Sequence, residues 1–205
     1  MSALSQEIWF ENPSVGQRTR IVTLPGETDG RSFVIEYINK PFGGENSVPA
    51  HVHTAYTETF EILKGHARYR LGSDTKTAGV GERILMPPRI PHVHPWSDSN
   101  EELHVRQLAE ANPADLRGLN NSLQAAITIQ GLAKSGRINA KGMPNLLQLA
   151  VLIEATMPAT YLDGAPILLQ RVLLGALGKV GRLAGYQLAY PEYGVITSQG
   201  LQMPA

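Results

Sequence analysis

The histidines of this 205-residue chain are gathered rather than scattered: His51, His53, His66, His92, His94 and His104, all six that it has, fall within 54 residues. His51 and His53 are separated by one residue. Side chains on a β-strand alternate with period two, so both imidazoles leave the same face and can grip one ion together. Glu58 follows after four residues, and Phe60 and Ile62 continue its alternation. A short bend at 54–57 therefore returns its carboxylate to the face of the imidazoles. A second strand-like run, within GERILMPPRIPHVH at 81–94, ends in a Pro-rich turn and delivers His92, with His94 two residues on and facing the same way. His51, His53, Glu58 and His92 make a set of N and O donors suited to one divalent transition ion, with Fe, Mn, Ni, Co, Cu and Zn all compatible.

An isolated histidine on a strand is more often a satisfied core or surface residue than a ligand. Clustering is what changes that reading here. His66, beside the Gly65 turn, reads as a solvated turn residue, and His104 lies in a later strand with either face open to it. His94 stays open between a second layer of the site, as a donor to a ligand or a substrate contact, and a plain rim residue.

The two stretches resemble the cupins. The first cupin motif runs G, five residues, HxH, three or four residues, E, six residues, G; Gly44, His51, His53, Glu58 and Gly65 fit it, with six residues in place of five after the first glycine. The second runs G, five residues, PxG, two residues, H, three residues, N; Gly81, Pro87 and His92 fit, while Arg89 stands at the second glycine and Trp96 at the asparagine. Neither departure touches a ligand. The resemblance implies a mainly β fold, the double-stranded β-helix barrel or jelly roll, with metal held by His51, His53, Glu58 and His92.

Composition fits a globular chain of one large domain or a domain with an appendage. Eighteen basic and eighteen acidic residues cancel, leaving no electrostatic footprint for nucleic acid. The absence of cysteine excludes a disulfide scaffold and any thiolate metal site. The opening MSALSQEIWFEN lacks a basic start and a long apolar run, so a cytoplasmic location is expected.

In chain order, EIWFEN at 7–12, RTRIVTL at 18–24 and RSFVIEYIN at 31–39 read as strands, separated by Pro- and Gly-containing turns. FEILK pairs with HARYRLG across a turn at Lys64-Gly65, and 80–86 and 103–108 complete the set. Alternate residues line the interior of such a barrel, which makes Phe60, Tyr69 and Met86 candidate wall residues beside the ligands and His94 a candidate pocket residue. Tyr56 and Trp96 read as packing at the rim, and Arg89 as a surface charge or an anion contact.

After Pro113 the period changes from two to 3.6. A barrel at 1–110 is thus followed by a helical extension at 111–205 that packs on the barrel or on a dimer partner. Helices are expected at 113–135, with Asn112 as a cap, at 144–156, apolar almost all round, and at 165–185, with a coil tail after Tyr186. In the third, Leu168, Leu169, Val172, Leu173, Ala176, Leu177 and Val180 face one way and Arg171, Lys179 and Arg182 the other. KGMPNLLQLAVL, GRLAGY and YPEYG, with the early WFENP, resemble a group of bacterial cupins with such an extension. No run approaches the roughly 18–20 apolar residues needed to span a bilayer. Contact of the 165–185 helix with a lipid interface is an alternative use of its basic face. Edge strands and surplus apolar helix surface suit a homodimer.

Four protein ligands on an ion that prefers five or six leave positions open, and Glu58 brings the formal charge to +1, which attracts an anionic oxygen donor. The resemblance implies dioxygenases of the quercetin, acireductone or cysteamine type, and also isomerases, oxalate-cleaving enzymes and non-catalytic binding proteins. The expectation is a metal-dependent oxygenase acting on a small organic enol or phenol, with Glu58 also as catalytic proton acceptor. The alternative is a small-molecule binding or sensing module with a structural metal.

Overall fold

Alternation of apolar residues along short strands builds two facing antiparallel sheets. The computed structural model describes residues 8–45, 47–139 and 142–204. The strands in chain order are β1 (Trp9–Asn12), β2 (Gln17–Thr23), β3 (Ser32–Asn39), β4 (His51–His53), β5 (Tyr56–Lys64), β6 (Ala67–Leu71), β7 (Asp74–Ala78), β8 (Arg83–Met86), β9 (His92–Ser97) and β10 (Leu103–Ala111). They are followed by α1 (Leu116–Lys134), α2 (Leu146–Thr156), β11 (Thr160–Leu162), α3 (Ile167–Leu183), β12 (Val195–Thr197) and β13 (Gly200–Gln202). One sheet has the order β1-β2-β3-β10-β5-β8, the other β11-β4-β9-β6-β7. The fold is mainly β, a jelly roll carrying C-terminal helices. The strand expected at 7–12 is seen over 9–12, and Glu7 lies outside the described residues.

β5 shows how pattern becomes architecture. Tyr56, Glu58, Phe60 and Ile62 are buried and the residues between them are not, so one face of the strand belongs to the interior. Phe60, Ile62, Met86, Leu103 and Val105 are at most 1% exposed and fill the space between the sheets. Each such side chain stabilises the fold by about 1.5–3 kcal/mol through the apolar surface it removes from water. At the end of the β5–β6 hairpin Gly65 takes φ 82°, and a Cβ there would stand 2.4 Å from the Glu102 carbonyl oxygen. Only glycine fits that turn without displacing backbone.

The extension is tied into the barrel. β11, between two helices, pairs with β4 in the register Thr160↔His53 and Leu162↔His51, and so adds an edge strand along the HxH segment. Gln170 of α3 fastens that strand: its Nε2 donates to the Leu162 carbonyl at 2.8 Å and its Oε1 accepts from the Leu162 N–H at 2.9 Å. Leu119, Leu123 and Ile127 of α1, spaced by four, pack into the barrel core. The α1 cap is Asp115 rather than Asn112. Its Oδ1 accepts from Gly118 N–H at 2.8 Å, and its Oδ2 accepts from the Tyr56 hydroxyl at 2.8 Å. Tyr56 is therefore not free rim packing but the peg joining β5 to α1.

α3 packs through a narrow face and leaves its stripe of leucines and valines outward. Its buried residues are Gln170, Gly178 and Gly181, and it meets α2 through the glycines: a Cβ on Gly181 would stand 2.7 Å from Val151 Cγ2. Leu168, Val172, Leu173 and Val180, the apolar side, are each more than half exposed. Among the described residues no helix is long and apolar enough to cross a membrane. The tail forms the β12–β13 hairpin instead of coil, held to α1 because Gln124 Oε1 accepts from Ile196 N–H at 2.8 Å.

Candidate metal centre

The two histidine strands are neighbours, with His51 of β4 directly opposite His92 of β9. Glu58 arrives from the facing sheet. The ligand atoms of His51, Glu58, His92 and His94 all lie within 4.8 Å of one another. Glu58 Oε2 is 3.0 Å from His94 Nε2, 3.1 Å from His92 Nε2 and 3.4 Å from His53 Nε2, and His53 Nε2 is 3.2 Å from His51 Nε2. Five side chains thus converge, the four expected ligands together with His94. His51, His53, Glu58 and His92 are each at most 5% exposed.

The outer ring nitrogens decide what the inner ones can do. A carbonyl only accepts, so His51 Nδ1 donates to the Pro49 carbonyl at 2.8 Å and His92 Nδ1 donates to the Ile90 carbonyl at 2.9 Å. Their neutral rings then turn the Nε2 lone pair inward. His53 Nδ1 meets Thr160 Oγ1 at 2.9 Å, a contact supplied by the extension through β11. For His92 and Glu58 this sets an acceptor against an acceptor at 3.1 Å, which needs a cation between them. A proton on every ring is a poor solution. Burial, with His53, His94 and His92 crowded around it, pushes the His51 imidazole well below its ordinary pKa. Burial alone would raise Glu58, but the imidazoles around it, His94 and His53 foremost, hold its carboxyl well below the usual range. A deprotonated carboxylate among inward-facing imidazole lone pairs fits a divalent metal ion.

Supporting groups complete the centre. Gln107 of β10, 3% exposed, donates from Nε2 to Glu58 Oε1 at 2.7 Å and fixes the carboxylate from the side away from the histidines. The Arg89 N–H donates to the His53 carbonyl at 2.7 Å, and Arg89 itself takes φ 67°. An arginine thus occupies the second-motif glycine position in the glycine conformation, at a cost of about 1 kcal/mol.

The centre opens into a cavity of about 190 Å³ whose walls include His51, His53, Glu58, His94 and Gln107. An apolar cavity of about 150 Å³ admits benzene, so this one has room for a substituted ring or a molecule of similar size. α1 and α2 contribute Leu123, Ile129, Leu149, Leu152 and Ile153 to it. His94 lines the cavity. Phe60, Tyr69 and Met86 do not: the Phe60 ring packs 4.9 Å from that of His94, Met86 is fully buried opposite Glu58 on β8, and Tyr69 is partly buried against the core. His66 and His104 lie away from the centre, paired with Asp98 at 3.2 Å and Glu102 at 3.3 Å.

Residues 43–108 match the cupin domain family, the stretch that holds both motifs and all five convergent side chains. The chain carries a cupin domain. Solved structures that align with part of the chain include a protein described as a sugar phosphate isomerase from Acidithiobacillus ferrooxidans (16% identity, TM-score 0.38, 48% of this chain and 61% of that one). Others are a predicted oxalate decarboxylase from Thermotoga maritima (14%, 0.43, 52% and 92%) and the polyketide cyclase RemF from Streptomyces resistomycificus (18%, 0.43, 54% and 78%). No curated protein sequence matches the chain significantly.

Proposed function

We propose that this cupin is a metal-dependent oxygenase acting on a small organic enol or phenol. The observation that carries the reading is the position of the histidine–carboxylate cluster: it forms part of the wall of an otherwise largely apolar cavity of about 190 Å³. A divalent ion held by His51, His53, Glu58, His92 or His94 would supply Lewis acidity and open positions for an anionic oxygen. The apolar residues of β3, α1 and α2 would hold an organic skeleton and keep water from it. Glu58 Oε2, which faces three imidazoles, would take the proton from an enol or phenol hydroxyl, with Gln107 keeping Oε1 engaged. Among the described lining residues there is no lysine or arginine, which disfavours phosphorylated substrates.

A second reading is a binding or sensing module with a structural metal. The roof of the cavity favours it, because α1 and α2 touch any occupant and could report its presence. The two separate in an oxygen electrode. Metal-loaded protein offered a panel of flavonols, enediols, catechols and thiols should consume O2 with at least one, and Glu58→Gln should abolish it. If no O2 is consumed while one compound raises the melting temperature, the binding module replaces the enzyme.

A further inference from the structure

Of the five side chains that meet at the centre, four are supplied by the two motifs, and His94 is the extra one. Its Nε2 lies 3.0 Å from Glu58 Oε2, against 3.1 Å for His92 and 3.4 Å for His53. Donors about 2.1 Å from one ion stand about 3.0 Å apart when adjacent in an octahedron and about 4.2 Å apart when opposite. The separations around Glu58 Oε2 lie close to the first figure, and no two donor atoms of His51, Glu58, His92 and His94 are more than 4.8 Å apart. His94 thus stands beside the other donors and not a layer behind them.

A β-bulge sets its aim. β9 pairs with β6 in the registers Arg68↔Trp96 and Arg70↔Val93, so Tyr69 faces two residues, His94 and Pro95. Bulges of this kind re-aim a side chain and leave the extra residue outside the ladder, where Pro95 has no N–H to lose. The Pro95 carbonyl accepts from the Tyr37 hydroxyl at 3.1 Å and from Asn39 Nδ2 at 3.3 Å, both buried on β3 of the facing sheet. From β5 the Phe60 ring packs 4.9 Å from the His94 imidazole and holds its other side.

We propose that His94 is a fifth protein ligand to the ion, through Nε2, beside His51, His53, Glu58 and His92. Glu58 gives one oxygen, because Gln107 holds the other. Five donor atoms on an ion that takes about six leave a single open position for a molecule in the adjoining cavity, which His94 also lines. That position admits one oxygen of a phenolate or enolate and turns away ligands that chelate through two, such as catecholates and enediolates. The choice of substrate rests on the oxygenase reading; the ligand count does not.

The test uses full-length protein loaded with Mn²⁺ and the relaxation of water protons, which counts the waters on the ion and needs no turnover. The unmodified protein should hold about one such water per ion, and His94→Phe, which keeps an aromatic ring against Phe60, about two. Tropolone, an oxygen chelator, should bind the variant at least about tenfold more tightly than the unmodified protein in calorimetry. Two waters on the ion of the unmodified protein overturn the fifth ligand without recourse to any variant. So does an unchanged water count in His94→Phe whose circular dichroism matches the parent, or equal binding of tropolone to both; His94 is then only a hydrogen-bond donor to Glu58. None of these results bears on the oxygenase reading, which the oxygen electrode decides separately.

Discussion

Gln107→Met removes one hydrogen bond from the centre while keeping length and burial. Gln107 Nε2 lies 2.7 Å from Glu58 Oε1, and the residue is 3% exposed, so the lost contact is charge-assisted and screened from water. A hydrogen bond of that kind contributes about 1.5–3 kcal/mol. The Glu58 carboxylate would keep its contacts with His92 and His94 but lose the anchor that stops it from rotating among them. Loss of a group that orients a ligand weakens metal binding by about 10–100-fold, or about 1.4–2.7 kcal/mol, in line with the hydrogen-bond figure. The assay is competition for Zn²⁺ against a chromophoric chelator, with the unfolding midpoint measured separately in chelator. A Kd for zinc within twofold of the unmodified protein, while Glu58→Gln weakens binding strongly, would refute the positioning role.

Other outcomes follow from the packing. Gly118→Ala places a Cβ 2.1 Å from both the Tyr56 hydroxyl and Asp115 Oδ2. It should break the α1 cap and lower stability by about 1–3 kcal/mol, read as the midpoint of a denaturant titration. Glu36, 8% exposed, accepts from Arg20 at 2.6 Å and Arg106 at 2.7 Å. Burial alone would raise its carboxyl, but the two guanidiniums hold it below the ordinary value of 4.5. A depressed carboxylate stabilises the fold above its unfolded pKa and loses that contribution as pH falls through its folded one. The stability gap between the unmodified protein and Glu36→Gln should therefore be full near neutrality and close progressively below about pH 4.5, as melting curves across that range would show. Finally, the outward apolar face of α3 suits a second copy of the chain. Light scattering at micromolar concentration should return twice the mass of one chain, and Leu168→Asp/Leu173→Asp should return a single chain.

Much of the centre can be read from spacing because strand alternation acts locally. The HxH pair leaves one face of β4 and Glu58 returns to meet it from β5 of the facing sheet, a relation contained within eight residues, and the Pro-rich turn before His92 marks the second strand. Contacts set by long-range packing are another matter. β11 is three residues between two helices, too short for a period, yet it provides Thr160 to His53. β7, DTKTA, is exposed except at Ala78 and so carries no apolar alternation. Gln107 does leave a trace, as the one polar side chain in the inward series Leu103, Val105, Gln107, Ala109, Ala111 of β10. In α3 the stripe of leucines and valines marks one side of the helix without naming what it packs on, and it is Gly178 and Gly181 that permit the close approach to α2 and leave the stripe outward. That α1 and α2 would line the cavity has no signature in either helix alone.

The metal content of full-length protein prepared without a histidine tag tests the central claim most directly. Elemental analysis should find close to one divalent first-row ion per chain, and His51→Ala/His92→Ala should fall to background while its circular dichroism stays that of the parent. Equal metal in the parent and in that variant, or no metal in the parent after loading and desalting, would contradict the assignment of these residues as the centre.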